Sequence, residues 1–505
     1  MKIFLTSQIK ELDAKTIKAQ DISSSELMDR AAHAAFCKIK SYLTINDKII
    51  IISGPGNNGG DALAIAILLL AEGYNINTVI CNFGKSLSDD AKLQLERLKK
   101  IKGSKIYFPT TARDLSDIEK PDVIIEGLFG TGLNKSLEGD FAETVFWINK
   151  QNIPVISIDL PGGLFGEDNR DNTAINIVHS NHVIGLQFPR ISYLLPENEK
   201  YIENWEVVDI GIDKKSIDKT ETDFYFTGES DVKDLLHKRK RFSHKGSYGK
   251  CLLIAGSKGM AGAAILSAKG AIRSGAGLLT VKIPNELYPI IQTSVPEALA
   301  LTYENGNFWE INCISANWSA IAVGSGLGKG KSKTESLEIL LKQKPGKLIL
   351  DADSLNILSE NTYLLEFLPE SCILTPHPGE FDRLIGKESK TGYERLKYAI
   401  KFAKNHRIYL ILKGAYSACI NPYGQCHFNS TGNPGMATGG TGDVLTGILL
   451  SLLAQGYSEE ETCVLGTYIH GLCGDLALQN QSLESLVAGD LPENLGKAFN
   501  QIKNY

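Results

Sequence analysis

A chain of 505 residues, 43% hydrophobic and 22% charged with 48 glycines, exceeds what one hydrophobic core usually supports. It predicts two or three folded units rich in tight loops and excludes a fibrous or disordered polymer. The formal charge of -5 gives no broad attraction to nucleic acid or to anionic lipid, which leaves small molecules as the expected partners.

The first twenty residues, MKIFLTSQIKELDAKTIKAQ, are apolar only over residues 3–5, too little for a secretory leader. No stretch reaches membrane-spanning length. The nine cysteines are scattered without a CxxC pair or zinc-like Cys/His spacing, so all nine are expected as buried, reduced thiols of a cytoplasmic protein.

In chain order, residues 48–53 (KIIIIS) read as a buried strand, GPGNNGG as a turn, residues 61–72 as a helix stopped by Gly73, and residues 76–81 as the next strand. That is one βαβ unit. Further strands are expected at 122–126 and 155–159, each running into a loop with glycine or proline, and ligands in such folds sit at strand ends. Between Gly211 and Lys250 the chain turns polar, which places a domain junction between residues 212 and 225. The basic run Lys238 to Arg241 lies close to Asp231 and Asp234 and reads as solvated surface.

The second half restarts with a strand at 251–255, the loop GSKGMAG, a small-residue helix at 263–274 and a strand at 278–283. More strands are expected near 320–323, 347–350, 372–374 and 408–412, with a long apolar helix after Gly442. Strands alternating with glycine loops and helices predict an α/β fold: two three-layer domains, residues 1–212 and 225–505, each with a largely parallel sheet.

Loop GPGNNGGD, Gly54 to Asp61, sets four glycines, two asparagines and an aspartate between a strand and a helix. Glycines permit positive φ and uncover N–H groups, and a helix start favours phosphate. With EGLFGTGL (Glu126 to Leu133) and SIDLPGG (Ser157 to Gly163), it resembles the NAD(P)H-hydrate epimerase family, in order, over residues 1–212. The resemblance implies a Rossmann-like domain in which Asn57, Asn58, Gly59, Gly60, Asp61, Gly130, Thr131, Gly132, Leu133, Asn134, Lys135 and Ser136 contact a hydrated dinucleotide. It makes Asp159 the acid/base, since epimerising a hydroxyl-bearing carbon needs proton transfer. It also implies potassium on Asn58, Glu126 and Gly162. Here the family's aspartate is replaced by Glu126 and its serine by Gly162, which could offer only a carbonyl.

NPGMATGGTGD, Asn433 to Asp443, leaves backbone donors bare where a helix presents its positive end, an anion hole for a phosphate in transfer. Asp443 at its mouth can accept a hydroxyl proton as that oxygen attacks the terminal phosphorus of a nucleotide; the plainer alternative is a helix N-cap. The GTGD loop resembles ribokinase-like kinases, and HKGSYGK, IAGS, RSGAGL and LTPHPGEF narrow the resemblance to NAD(P)H-hydrate dehydratases over residues 225–505. This implies a hydrate surface at Ala263, Gly326 and His377 with Asp443 at the hydroxyl, and ADP on Lys413, Gly414, Ala415, Tyr416, Ser417 and Gly442, with magnesium bridging its phosphates. His377 could instead be a satisfied structural residue.

The implied activity is repair of hydrated NADH and NADPH: epimerisation in the first half and ADP-dependent dehydration in the second, by a homo-oligomer without nucleic-acid or membrane partners. The alternative is a small-metabolite kinase fused to a non-catalytic dinucleotide-binding module.

Overall fold

The structure is a computed structural model that describes residues 1–305, 307–309 and 317–504. The chain divides into two units, Lys2–Thr222 and a second comprising Met1 with Asp223–Tyr505.

In the first unit the apolar run KIIIIS forms β1 (Lys48–Ser53), buried at every position after Lys48. Its alternation feeds both faces of a sheet: Ile49 and Ile51 join one core cluster, Ile50 and Ile52 the other, which is why the strand needs no polar face. The remaining strands are β2 (Asn75–Ile80), β3 (Lys105–Tyr107), β4 (Val123–Gly127), β5 (Val155–Ile158), β6 (Ser180–Leu186) and β7 (Ile202–Val208). They form a parallel sheet in the order β3-β2-β1-β4-β5-β6-β7. The chain starts in the middle, winds to one edge and crosses back, so a crevice opens beyond the carboxyl ends of β1 and β4. Two helices bring acidic side chains toward it, α1 (Thr6–Gln20) with Asp13 and α2 (Asn57–Ala71) with Asp61.

Residues 57–60, expected as turn, are instead the first turn of α2, with Gly56 as its N-cap. None of Gly54, Gly56, Gly59 and Gly60 has positive φ. Gly54 and Gly59 are small because backbone crowds them: a Cβ would meet Leu128 O at 1.8 Å on Gly54 and Gly54 O at 2.0 Å on Gly59. The glycines serve close approach, not a left-handed turn. Strands β6 and β7 carried no signal, because their mixed burial breaks both the apolar run and a clean alternation.

The second unit contains β8 (Phe224–Thr227), β9 (Lys250–Ile254), β10 (Leu278–Pro284), β11 (Leu299–Tyr303), β12 (Ala320–Val323), β13 (Leu348–Leu350), β14 (Ile373–Leu374), β15 (Tyr409–Leu412), β16 (Ala418–Ile420) and β17 (Cys426–Asn429). Their order is β8-β17-β16-β15-β14-β13-β12-β9-β10-β11. Strands β15, β16 and β17 pair antiparallel; the neighbours from β11 through β9 to β15, and the β17–β8 pair, are parallel. The hairpin β16–β17 and strand β8 were not foreseen. After β8, at one end of this order, the chain enters the parallel run centrally, at β9, and returns at β12, so the loops after these two strands face one crevice.

Four helices line it: α3 (Ala261–Arg273), α4 (Asp353–Glu360), α5 (Pro378–Leu384) and α6 (Thr441–Ala454). Helices α3 and α6 pack nearly backbone to backbone. A Cβ on Gly447 would lie 2.0 Å from Ser267 O, and one on Gly270 would lie 2.7 Å from Val444 O.

The described cysteines are free, and all but Cys37, which is exposed on a helix, are buried; Cys313 lies outside the described residues. In the basic run, Arg239 donates to Gly275 O at 2.6 Å and stacks 3.9 Å over the Tyr248 ring.

Candidate active sites

The first site sits at the carboxyl ends of β1, β4 and β5. Asp159 directly follows β5 with a left-handed backbone, φ 65, a conformation a non-glycine residue adopts only when its surroundings hold it. Three groups do so. Arg190 forms a buried ion pair with its carboxylate, the Thr131 N–H donates to Oδ2 at 3.1 Å, and the Tyr193 hydroxyl donates to its carbonyl.

Of the residues expected around the dinucleotide, Asn58, Gly130, Thr131 and Asp159 come together. A Cβ on Gly130 would lie 2.7 Å from Asp159 Oδ2 and 3.2 Å from Asn58 Cγ. Asp61, in the second turn of α2, is buried, and burial followed by the charges of Asp159, Asp13 and Asp90 pushes its pKa well up. Asn57, Gly132, Asn134 and Lys135 are exposed, while Ser136 turns away to hydrogen-bond Asn172 at 2.9 Å.

The oxygens expected to hold potassium are unequally available. Asn58 Oδ1 is buried and, among the described residues, has no hydrogen-bond partner, as suits a cation ligand. Glu126, however, accepts from the Ser157 hydroxyl, from the Gly162 N–H at 2.8 Å and from the Leu128 N–H at 3.0 Å, and burial pushes its pKa up to about 7. The Gly162 carbonyl accepts from the Val178 N–H at 2.9 Å. The longer glutamate side chain thus folds back onto local donors, and the trio does not fit a cation held by all three.

Sequence reasoning missed Arg190, Tyr193 and Asp13. No glycine motif marks them. The available signal was an arginine inside the apolar stretch FPRISYLL, since a buried arginine requires a carboxylate partner.

The second site gathers at α6. The helix starts at Thr441, two residues before the expected position, with Gly440 as N-cap at φ 97. Asp443 is thus inside the first turn and is not the N-cap, so its carboxyl is left to other work. Burial, then the charge of Asp351, pushes its pKa up to about 6, against Ser325 and Lys413, which lower it. Ser325 is fixed by a 3.0 Å hydrogen bond from Ser267. Beside it Gly326, at φ 58, touches Ala263: a Cβ there would lie 2.8 Å from that methyl. Asp443, Gly326 and Ala263 therefore share one wall.

Lys413 is brought to Gly442, whose added Cβ would lie 3.3 Å from Nζ. The ammonium pairs with Asp351 at 3.0 Å and approaches Glu380 at 3.9 Å. Burial opposes its charge, but these carboxylates outweigh it and raise its pKa. The Gly414 N–H donates to Ser417 Oγ at 3.2 Å, closing a turn. His377 takes a structural role: its Nδ1 accepts from the N–H groups of Gly379 at 3.1 Å and Glu380 at 3.3 Å, capping α5. Its ring remains half exposed, 3.5 Å from Glu380. Asp351 and Thr446 went unnoticed in the sequence because they belong to no glycine loop, whereas Ser325, between Gly324 and Gly326, and Glu380, within LTPHPGEF, sit in motifs of which only other residues were singled out. Among the described residues no three of His, Cys, Asp and Glu gather into a metal site.

Comparison with known proteins places both units. The family described as NAD(P)H-hydrate dehydratase matches residues 251–497, and that described as YjeF-related protein N-terminus matches residues 24–192. The second unit resembles a ribokinase-like superfamily protein from Enterococcus faecalis, 26% identical with a TM-score of 0.50 over 57% of this chain and 99% of that one. An ADP/ATP-dependent NAD(P)H-hydrate dehydratase from Bacillus subtilis, co-crystallized with ATP and Mg2+, is 32% identical with a TM-score of 0.49 over 55% of this chain and 98% of that one. The bifunctional NAD(P)H-hydrate repair enzyme Nnr of Moorella thermoacetica is 30% identical over 97% of this chain and 95% of its own. With both family matches in order and that identity across nearly the whole length, the chain belongs to the bifunctional NAD(P)H-hydrate repair enzyme family.

Proposed function

We propose that the first unit interconverts the R and S hydrates of NADH and NADPH, and that the second dehydrates the S hydrate at the expense of ADP, releasing AMP and phosphate. The observation that carries the reading is the wall of Asp443, Gly326 and Ala263 opposite Lys413 and Gly442. It sets a proton acceptor and a cation at one glycine-lined helix start.

In the second unit Asp443 takes the proton of the ring hydroxyl as its oxygen attacks the terminal phosphorus of ADP. The new O–P bond forms as the bond to the AMP oxygen breaks. Phosphate then leaves with the C–O bond, a ring proton is lost, and the dihydronicotinamide double bond returns. The bare N–H groups of 439–442 and the Lys413 ammonium stabilise the transferring phosphoryl group. Magnesium bound with the nucleotide supplies further neutralisation of its phosphates; the described residues build no cage for it, and proton and phosphoryl transfer belong to the chain's own groups.

In the first unit Asp159 handles the proton that inversion requires, and the loop of Gly130 and Thr131 closes against it. No step is assigned to potassium, given the hydrogen bonds that Glu126 and Gly162 already make. Among the described residues no helix is long and apolar enough to cross a membrane.

The test is incubation of the whole chain with mixed hydrate epimers. With ADP, both epimers should drain to NADH with one AMP per NADH. Without ADP, an R-enriched mixture should relax to its equilibrium ratio and form no NADH. Consumption of ATP with a simple alcohol, and none of ADP with hydrate, would overturn the reading.

A further inference from the structure

Four ionisable groups converge at the first site, and the glycine motifs account for two of them. Asp159 and Asp61 were expected there. Asp13 comes from α1, and Arg190 from the segment after β6. Arg190 and Asp159 pair with side chains 3% and 7% exposed. The guanidinium also donates to the carbonyls of Phe188 at 3.1 Å and Leu186 at 3.4 Å. An arginine held so deeply is a fixed cation that needs its carboxylate charged.

Asp159 is correspondingly fixed, by Arg190 on one oxygen, the Thr131 N–H on the other and the Tyr193 hydroxyl on its carbonyl. Asp61 is the opposite case: 9% exposed, it accepts no hydrogen bond among the described residues. Asp13 also faces the pair; burial raises its pKa to about 6, with Arg190 lowering and Asp159 raising it. Asp90 adds a further negative charge beside Asp61. One cation cannot compensate three carboxylates in a low dielectric, so the site retains a proton.

We propose that Arg190 is the positioning residue of epimerisation: its ion pair keeps Asp159 as the anionic proton acceptor and leaves the site's proton on Asp61, which donates it. The proposal rests on the epimerase reading of the first unit. Adding water to the ring enamine puts the hydroxyl on the carbon bonded to nitrogen. Asp61 protonates that hydroxyl, the C–O bond breaks as the nitrogen lone pair forms a C=N bond, and water leaves. A water adds to the other face, its oxygen forming the new C–O bond and its proton passing to Asp159. Solvent then returns the proton from Asp159 to Asp61. Arg190 decides which carboxyl is loaded at the start.

The test follows the epimer ratio of an R-enriched hydrate without ADP, on the whole chain, across pH. Arg190→Gln should lower kcat by about a hundredfold, the usual weight of one acid/base group, with KM within about threefold. It should also move the acid limb of the kcat profile upward by about one pH unit or more, as losing an adjacent cation demands. Arg190→Lys, which keeps the charge, should recover at least about a tenth of the rate and return the limb toward its original position. Thermal unfolding reports the fold; if Arg190→Gln does not fold, the lysine variant carries the test, with a smaller limb shift expected from its looser pairing. An unmoved limb in the folded variants would overturn the role given to Arg190. A wild-type chain that leaves the R hydrate untouched would instead overturn the epimerase reading itself.

Discussion

The Lys413 ammonium lies 3.0 Å from the Asp351 carboxylate, whose second oxygen accepts a 2.6 Å hydrogen bond from the Thr446 hydroxyl on α6. Burial works against the Asp351 charge, yet Lys413 and Thr446 outweigh it and hold the pKa below its usual range. The pair thus links β13, β15 and α6, and it aims the ammonium at Gly442. Asp351→Asn should leave the half-buried lysine with only the more distant Glu380 as counter-charge, at a cost below the roughly 3–5 kcal/mol of breaking a fully buried pair. ADP-dependent turnover should fall by about a hundredfold or more. In a double-mutant cycle with Lys413→Met, the second substitution should add little to the first. Fully additive losses would show that the two residues act separately.

Asp443→Asn should abolish dehydration, by about a hundredfold or more, while calorimetry finds ADP binding nearly intact, because the backbone donors of the loop remain. The pH dependence comes from the carboxyl's environment. Its pKa is raised to about 6 by burial and by Asp351, so the base is present above pH 6 and is lost by protonation below it. The kcat/KM profile should fall about tenfold per pH unit below that point. A flat profile down to pH 4.5 would remove Asp443 as the base.

Asp159→Ala in the whole chain, supplied with mixed hydrates and ADP, should consume the S epimer at the normal rate and then stall. The R epimer should drain only as fast as it epimerises spontaneously. Chromatography of the residual hydrate checks this, and equal drainage of both epimers would refute the division of labour.

Gly447→Ala places a methyl carbon 2.0 Å from Ser267 O unless the helices separate. Overpacking of this kind costs about 1–3 kcal/mol, so the second unit should melt at a lower temperature. Dehydration should also slow, because α3 begins beside Ala263 and α6 beside Asp443. An unchanged melting curve would show that the seam yields easily.

Much of this was legible in the sequence because two physical codes were clean. KIIIIS and the apolar runs at β9 and β12 announce strands covered on both faces, and glycine loops behind them mark the crevice. The boundary of α2 was misread because NNGGD has the composition of a turn; its helix is secured by tertiary contact, Gly59 lying against Gly54, which no local propensity reports. Glu126 was seen as a cation ligand by its place in a motif, whereas its longer side chain meets Ser157, Gly162 and Leu128. Arg190, Asp351 and Thr446 act through partners distant in the chain; FPRISYLL signals that Arg190 needs a carboxylate, but a single sequence does not say which one. His377 shows the reverse limit: its place between two prolines suggested a ligand contact, and its ring nitrogen caps a helix.

The glycine seam between α3 and α6 also bears on how the protein comes to be made. It joins an early helix of the second unit to a late one, so the glycine loop before α6 cannot find its place until most of the chain has left the ribosome. Contacts so distant in sequence are closed late and slowly. The first unit, complete within the earlier residues and holding its own core clusters, can condense while the rest is still being synthesised. A nascent chain arrested after β15 should therefore already carry a folded first unit, while the second waits exposed to chaperones and proteases until its α6 arrives.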